Sequence, residues 1–152
     1  MANDNRSFSD DLRKFCEKTK IKADTFVRKV TFDVLAEIIR RTPVDYGWAR
    51  ANWQIGIGER PDGTIGSRED FESKGKAKQG SGSYRAARAI QGQQVTATMS
   101  FVKAGGVNYI VNNVPYIMRL EEGWSKQAPA GMARVTVTEF QEIVNKALRS
   151  IA

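Results

Sequence analysis

The sequence predicts an α+β fold: a small antiparallel sheet of three or four strands packed against an N-terminal and a C-terminal amphipathic helix, with one long flexible loop. Three observations predict it. Apolar residues recur at helical spacing over 27–39 and again over 140–151. The period changes to two over 51–57, 95–101 and 107–111. Between the first two of these strands, 58–83 holds six glycines and few apolar anchors beyond Ile65 and Phe71, which reads as a long flexible loop.

Residues 1–8 read as a frayed polar tail. Ser9 followed by Asp10 and Asp11 marks a helix start, because a capping hydroxyl and first-turn acids suit unsatisfied N–H groups. That helix runs from about residue 10 to 20, with Leu12, Phe15 and Cys16 on one face. Asp24 is placed to cap the next helix, over 25–41. Its stripe is Val27, Val30, Val34 and Ile38, widened by Leu35 and Ile39. Arg40 and Arg41 suit the negative end of that helix, and Thr42-Pro43 stops it, since a residue before proline avoids helical geometry.

Val44-Asp45-Tyr46-Gly47 reads as a turn. Ala51, Trp53, Ile55 and Ile57 then form one face of a strand. Residues 84–90 suit a short helical turn. Val95, Ala97, Met99 and Phe101 predict a second strand, joined through Lys103-Ala104-Gly105-Gly106 to a third carrying Val107, Tyr109 and Val111, so these two form a hairpin. After a corner at 112–132, a helix from about residue 131 carries Ala133, Val137, Phe140, Ile143, Val144, Ala147, Leu148 and Ile151 on one face.

A chain of 152 residues fits one domain, 1–152, with a core of its own. The polar, acid-bearing start does not have the pattern of a signal peptide, and no apolar run is long enough to span a membrane, so no membrane partner is expected. One cysteine, Cys16, permits no intrachain disulfide and fits a reducing compartment. Histidine is absent, which removes the commonest general base and metal ligand.

The net charge of +7 is concentrated. No acid falls between Glu72 and Glu121, whereas Lys74, Lys76, Lys78, Arg85, Arg88, Lys103 and Arg119 all do. Lys74, Lys76, Lys78, Arg85 and Arg88 are candidate contacts for DNA or another polyanion, with Tyr84 available to stack on a base. A solvated basic loop that keeps the protein soluble explains the same charges.

Catalysis is not expected. There is no nucleophile elbow and no Walker loop. Gly56-Ile57-Gly58 lacks the third glycine and following helix of a dinucleotide site. Glu121 and Glu122 are adjacent and would diverge on a helix. No catalytic, cofactor or metal residue is assigned. Trp48 and Arg50 are expected at the exposed start of a strand, where Trp and Arg serve as interface anchors. Tyr116, Leu120 and Trp124 are either further anchors or packing groups of the chain's own core. Glu121 and Glu122 are read as a charge latch beside them.

Two stretches carry a resemblance. Thr42-Pro43-Val44-Asp45-Tyr46-Gly47, followed by Arg50-Ala51-Asn52-Trp53, resembles the TPVDTG-x-x-R-x-(N/S)-W signature of tailed-phage neck and tail-completion proteins. Asn112, Pro115, Tyr116, Leu120, Glu121, Gly123, Ser125, Gln127, Ala128, Pro129, Gly131 and Met132 match a second signature of that family in the same order. The resemblance spans about 26–147. Departures are Tyr46 in place of the usual Thr, and Trp48 where a basic residue is common.

The resemblance implies a structural virion protein rather than an enzyme, assembled in the bacterial cytoplasm and found at the neck or tail of a long-tailed phage. It implies a homo-oligomeric ring, commonly of six subunits, that completes the tail and helps join it to the head. Its partners would be other neck and tail-tube proteins, with non-specific contact to DNA in the channel. A basic nucleic-acid-binding module using the acid-free 73–120 window is the alternative.

Overall fold

The computed structural model describes residues 2–19, 22–72 and 82–151. In order these form α1 (Ala2–Thr19), α2 (Ala23–Arg41), a 3-10 turn (Arg50–Asn52), β1 (Trp53–Ile57), α3 (Arg68–Glu72), α4 (Gly82–Met99), β2 (Asn108–Asn112), α5 (Ile117–Glu121), α6 (Ala133–Thr138) and α7 (Phe140–Ile151). The fold is α+β, with a two-stranded antiparallel sheet among the described residues.

The helix α2 is shared by two cores. Phe26 and Val30 pack with Val144 and Ala147 of α7, with Leu12 of α1 at the margin. One end of the stripe thus docks the C-terminal helix. Leu35 and Ile38 pack instead with Trp53 and Ile55 of β1, and with Val102, Ala128 and Met132. Truncating a fully buried side chain such as Leu35 to Ala would cost about 2–5 kcal/mol, because the packed surroundings relax only in part. The helix ends as expected: Thr42 is extended (φ −72°, ψ 126°) before Pro43. Its start differs. Lys22 is the N-cap residue, and Asp24 turns its carboxylate away to accept the Ala104 N–H at 2.9 Å.

The strands pair with Trp53 opposite Asn112, Ile55 opposite Ile110 and Ile57 opposite Asn108. Of the expected strand, 95–99 is helical instead and 100–101 is a turn, so among the described residues the sheet has two strands rather than the expected three or four, and the predicted hairpin does not form. The reason lies in the side chains. Val95 and Met99, four residues apart, both pack on the core. Ala97, which alternation would turn inward, is exposed. The segment simply continues the Ala- and Gln-rich helix that begins at Gly82, with Gln91 buried against β1.

The helical pattern also begins earlier than expected, with α1 starting at Ala2. The first part of the predicted 58–83 loop contains α3 and is anchored by buried Ile65 and Phe71. The middle of that loop, with Lys74, Lys76 and Lys78, lies outside the described residues. The C-terminal helix is interrupted at Glu139 (φ −94°, ψ 6°). Thr136 and Thr138 return their hydroxyls to carbonyls of the preceding turn, a pattern that bends helices. Among the described residues no helix is long and apolar enough to cross a membrane.

Candidate assembly surface

The first signature stretch is a knot of hydrogen bonds around the end of α2. Thr42 is fully buried; its hydroxyl donates to the Ile38 carbonyl and accepts the Trp53 indole N–H, both at 2.7 Å. Arg50 folds back, its Nε donating to the Thr42 carbonyl at 2.8 Å and Nη2 to the Arg40 carbonyl at 3.3 Å. The guanidinium therefore satisfies carbonyls that the helix terminus leaves open.

Asn52, also fully buried, donates to the carbonyls of Trp48 (2.8 Å) and Ile65 (3.2 Å) and accepts the Ile65 N–H (2.5 Å). One side chain thus staples the segment beyond β1 to the turn before it. Gln91 of α4 completes the knot, donating to the carbonyls of Arg50 and Trp53.

The second stretch is shaped by a carboxylate and two glycines. Glu121, at the end of α5, accepts the N–H groups of Met132 and Ala133 on Oε2 (3.0 Å each) and of Arg134 on Oε1 (2.8 Å). It caps the start of α6 from outside the local sequence, where negative charge suits the helix dipole. Arg134 returns a bond from its guanidinium to the Glu121 carbonyl. Gly123 and Gly131 have φ of 88° and 89°. A Cβ on either would fall 2.3 Å from the Pro129 carbonyl oxygen or 2.6 Å from that of Glu121.

The two stretches meet. Gln127 pairs with both backbone groups of Val44, accepting its N–H at 3.1 Å and donating to its carbonyl at 3.2 Å. Asn112 donates to the Ala49 carbonyl at 2.8 Å. Trp48 and Tyr116 pack ring to ring, 5.9 Å between centroids. Burial holds the Tyr116 phenol above its ordinary pKa, against a smaller opposing effect from a hydrogen bond with the Ala49 backbone.

These contacts correct the exposure expected of Trp48 and Arg50. Trp48 is only 6% exposed and packs with Ala51, Phe71 and Val114, with its indole N–H on the Gly66 carbonyl. It is a core residue, because 65–71 folds over it. Arg50 is occupied by helix carbonyls rather than presented at a strand end. Tyr116 is half-buried on Trp48. Glu121 is committed to α6, which leaves Glu122 as the exposed member of the acidic pair. Trp124 is 71% exposed, with the Arg119 guanidinium 5.2 Å above its ring, and Met118 of α5 is 63% exposed. Arg, Trp and Met are the residue types enriched at interfaces.

Of the basic residues, Arg85 is exposed on α4, and Arg88 is half-buried with its guanidinium on the Gln91 side-chain oxygen. Among the described residues no group of three or more His, Cys, Asp or Glu is arranged to hold a metal ion. Sequence reasoning missed Gln91 and the capping role of Glu121. Both act across long sequence separations, so no local pattern signals them. No protein-family model, curated protein or solved structure matches the chain.

Proposed function

We propose that this chain is a structural virion protein of a long-tailed bacteriophage, a subunit of an oligomeric ring that completes the tail end and helps join it to the head. It works by assembly and not by chemistry. The observation that carries this is the docking of 42–53 on 112–132. The two stretches that resemble the neck-protein signatures form one folded unit through Gln127–Val44, Asn112–Ala49 and Trp48–Tyr116. That unit leaves Met118, Glu122 and Trp124 outward for a partner. A large apolar ring left in water has no role in the isolated chain's core, whereas it suits a buried anchor in an assembly.

In this role the chain resides in the virion neck after assembly in the host cytoplasm, in contact with neck and tail-tube proteins. Lys74, Lys76, Lys78 and Arg85 then serve DNA passing through the channel, without sequence preference, whereas Arg88 is turned onto Gln91. Electron microscopy of virions labelled with an antibody to this chain tests the location. Label at the head–tail junction is expected. Label confined to the capsid or tail fibres, or none on purified virions, contradicts it.

A further inference from the structure

We propose that a groove between α2 and α4 receives the Met118–Glu122–Trp124 surface of a second copy of this chain, head to tail; this presupposes the assembly role given to Trp124 above. The groove has a volume of about 430 Å³. Phe32, Ile39 and Val95 supply its apolar wall, and Arg40, Arg50 and Arg88 share it, with no Asp or Glu along the lining. Phe32 is 50% exposed although it lies within the helix that organises both cores. Among the described residues neither Arg50 nor Arg88 has a carboxylate partner, and Arg40 pairs only with Glu37.

A second observation points to close approach from outside. Gly92 lines the groove in the interior of α4, where glycine is the least favourable residue after proline. A Cβ there would meet nothing within 4 Å. Nothing within the described protomer needs the space that the glycine leaves open, but a side chain entering from another molecule does.

The entering group must be apolar, large and accompanied by negative charge. The chain's own exposed surface offers both: Trp124 and Met118 are its apolar part, and Glu122 is an exposed carboxylate with no ion pair among the described residues, so docking would set Glu122 toward the groove's arginines and the Arg119 guanidinium, which lies over the Trp124 ring, away from them. Groove and surface share no residue, so each copy offers both at once. Such a contact is heterologous, and it closes into a ring when the rotation per subunit permits.

The test is particle mass, by sedimentation velocity, of the full chain as wild type, Gly92→Gln and Trp124→Asp, alone and mixed. Gly92→Gln fills the groove while improving the helix, so its Tm should rise by about 2–4 °C, which separates blocked assembly from misfolding. Wild type should form oligomers, and each variant should associate at least roughly 30-fold more weakly, as for loss of an interface anchor. Mixed in equal amounts, the variants should give dimers, since one retains the anchor and the other the groove.

Gly92→Gln assembling like wild type would overturn the groove as the receptor. Single variants that both fail but give no mixed dimer would overturn the pairing of these two surfaces. Trp124→Asp assembling like wild type would overturn the anchor itself, and with it the basis for the assembly role. A wild type that stays monomeric at high concentration would overturn self-pairing, while labelling at the head–tail junction would still uphold the virion role.

Discussion

Glu121 closes the corner that Gly123 and Gly131 open. Its carboxylate receives three backbone N–H groups at the start of α6, so Glu121→Ala leaves those donors without their protein partner. The expected loss is about 1–3 kcal/mol in urea denaturation, with Glu121→Gln recovering part of it through its remaining carbonyl oxygen. Glu37 carries a pH-dependent contribution. The Arg40 guanidinium hydrogen-bonded to it, aided by the charges of Arg40 and Arg41, holds its carboxyl below the usual carboxylate range. A depressed folded-state pKa stabilises the fold above the unfolded-state pKa, and this is lost as pH falls through the folded value. Glu37→Gln should therefore lower Tm slightly at neutral pH and leave it unchanged in strong acid; the effect is small because the pair is largely solvated. Equal Tm loss at both pH values would show that the ion pair is not the cause.

The helix α4 is the element where sequence periodicity and structure part. Val95, Ala97, Met99 and Phe101 alternate, yet only Val95 and Met99 reach the core, and they do so at helical spacing. Over five residues the two periods share positions, and the deciding fact is Gln91, whose side chain reaches β1 across 38 residues of sequence. Thr96, exposed on α4, gives a sign test. Thr96→Ala should raise stability by about 0.5 kcal/mol in a helix, whereas a strand loses stability from the same change. The elements legible in the sequence are those with long periodic stripes or local stops: α2, its end at Thr42-Pro43, β1, β2 and α7. The burial of Trp48 and the cap by Glu121 are not legible there. The first depends on 65–71 folding across the indole, and the second on a carboxylate eleven to thirteen residues from its N–H partners.

At the scale of the molecule, most residues of the two signature stretches serve the fold itself. Thr42, Arg50, Asn52, Trp53, Asn112, Gln127 and both corner glycines are joined to backbone or packed tightly against it. Together they fix α5 against the first stretch, with Trp124 exposed beyond it and the α2–α4 groove elsewhere on the surface. In the assembly role proposed above, Trp124, with the Arg119 guanidinium over its ring, would serve as a docking anchor. The most direct test of that role is electron microscopy of particles made in infected cells when this chain is absent. Filled heads and separate tails should accumulate, and adding the purified chain to the extract should join them. A normal yield of joined, infectious particles without the chain would contradict the account.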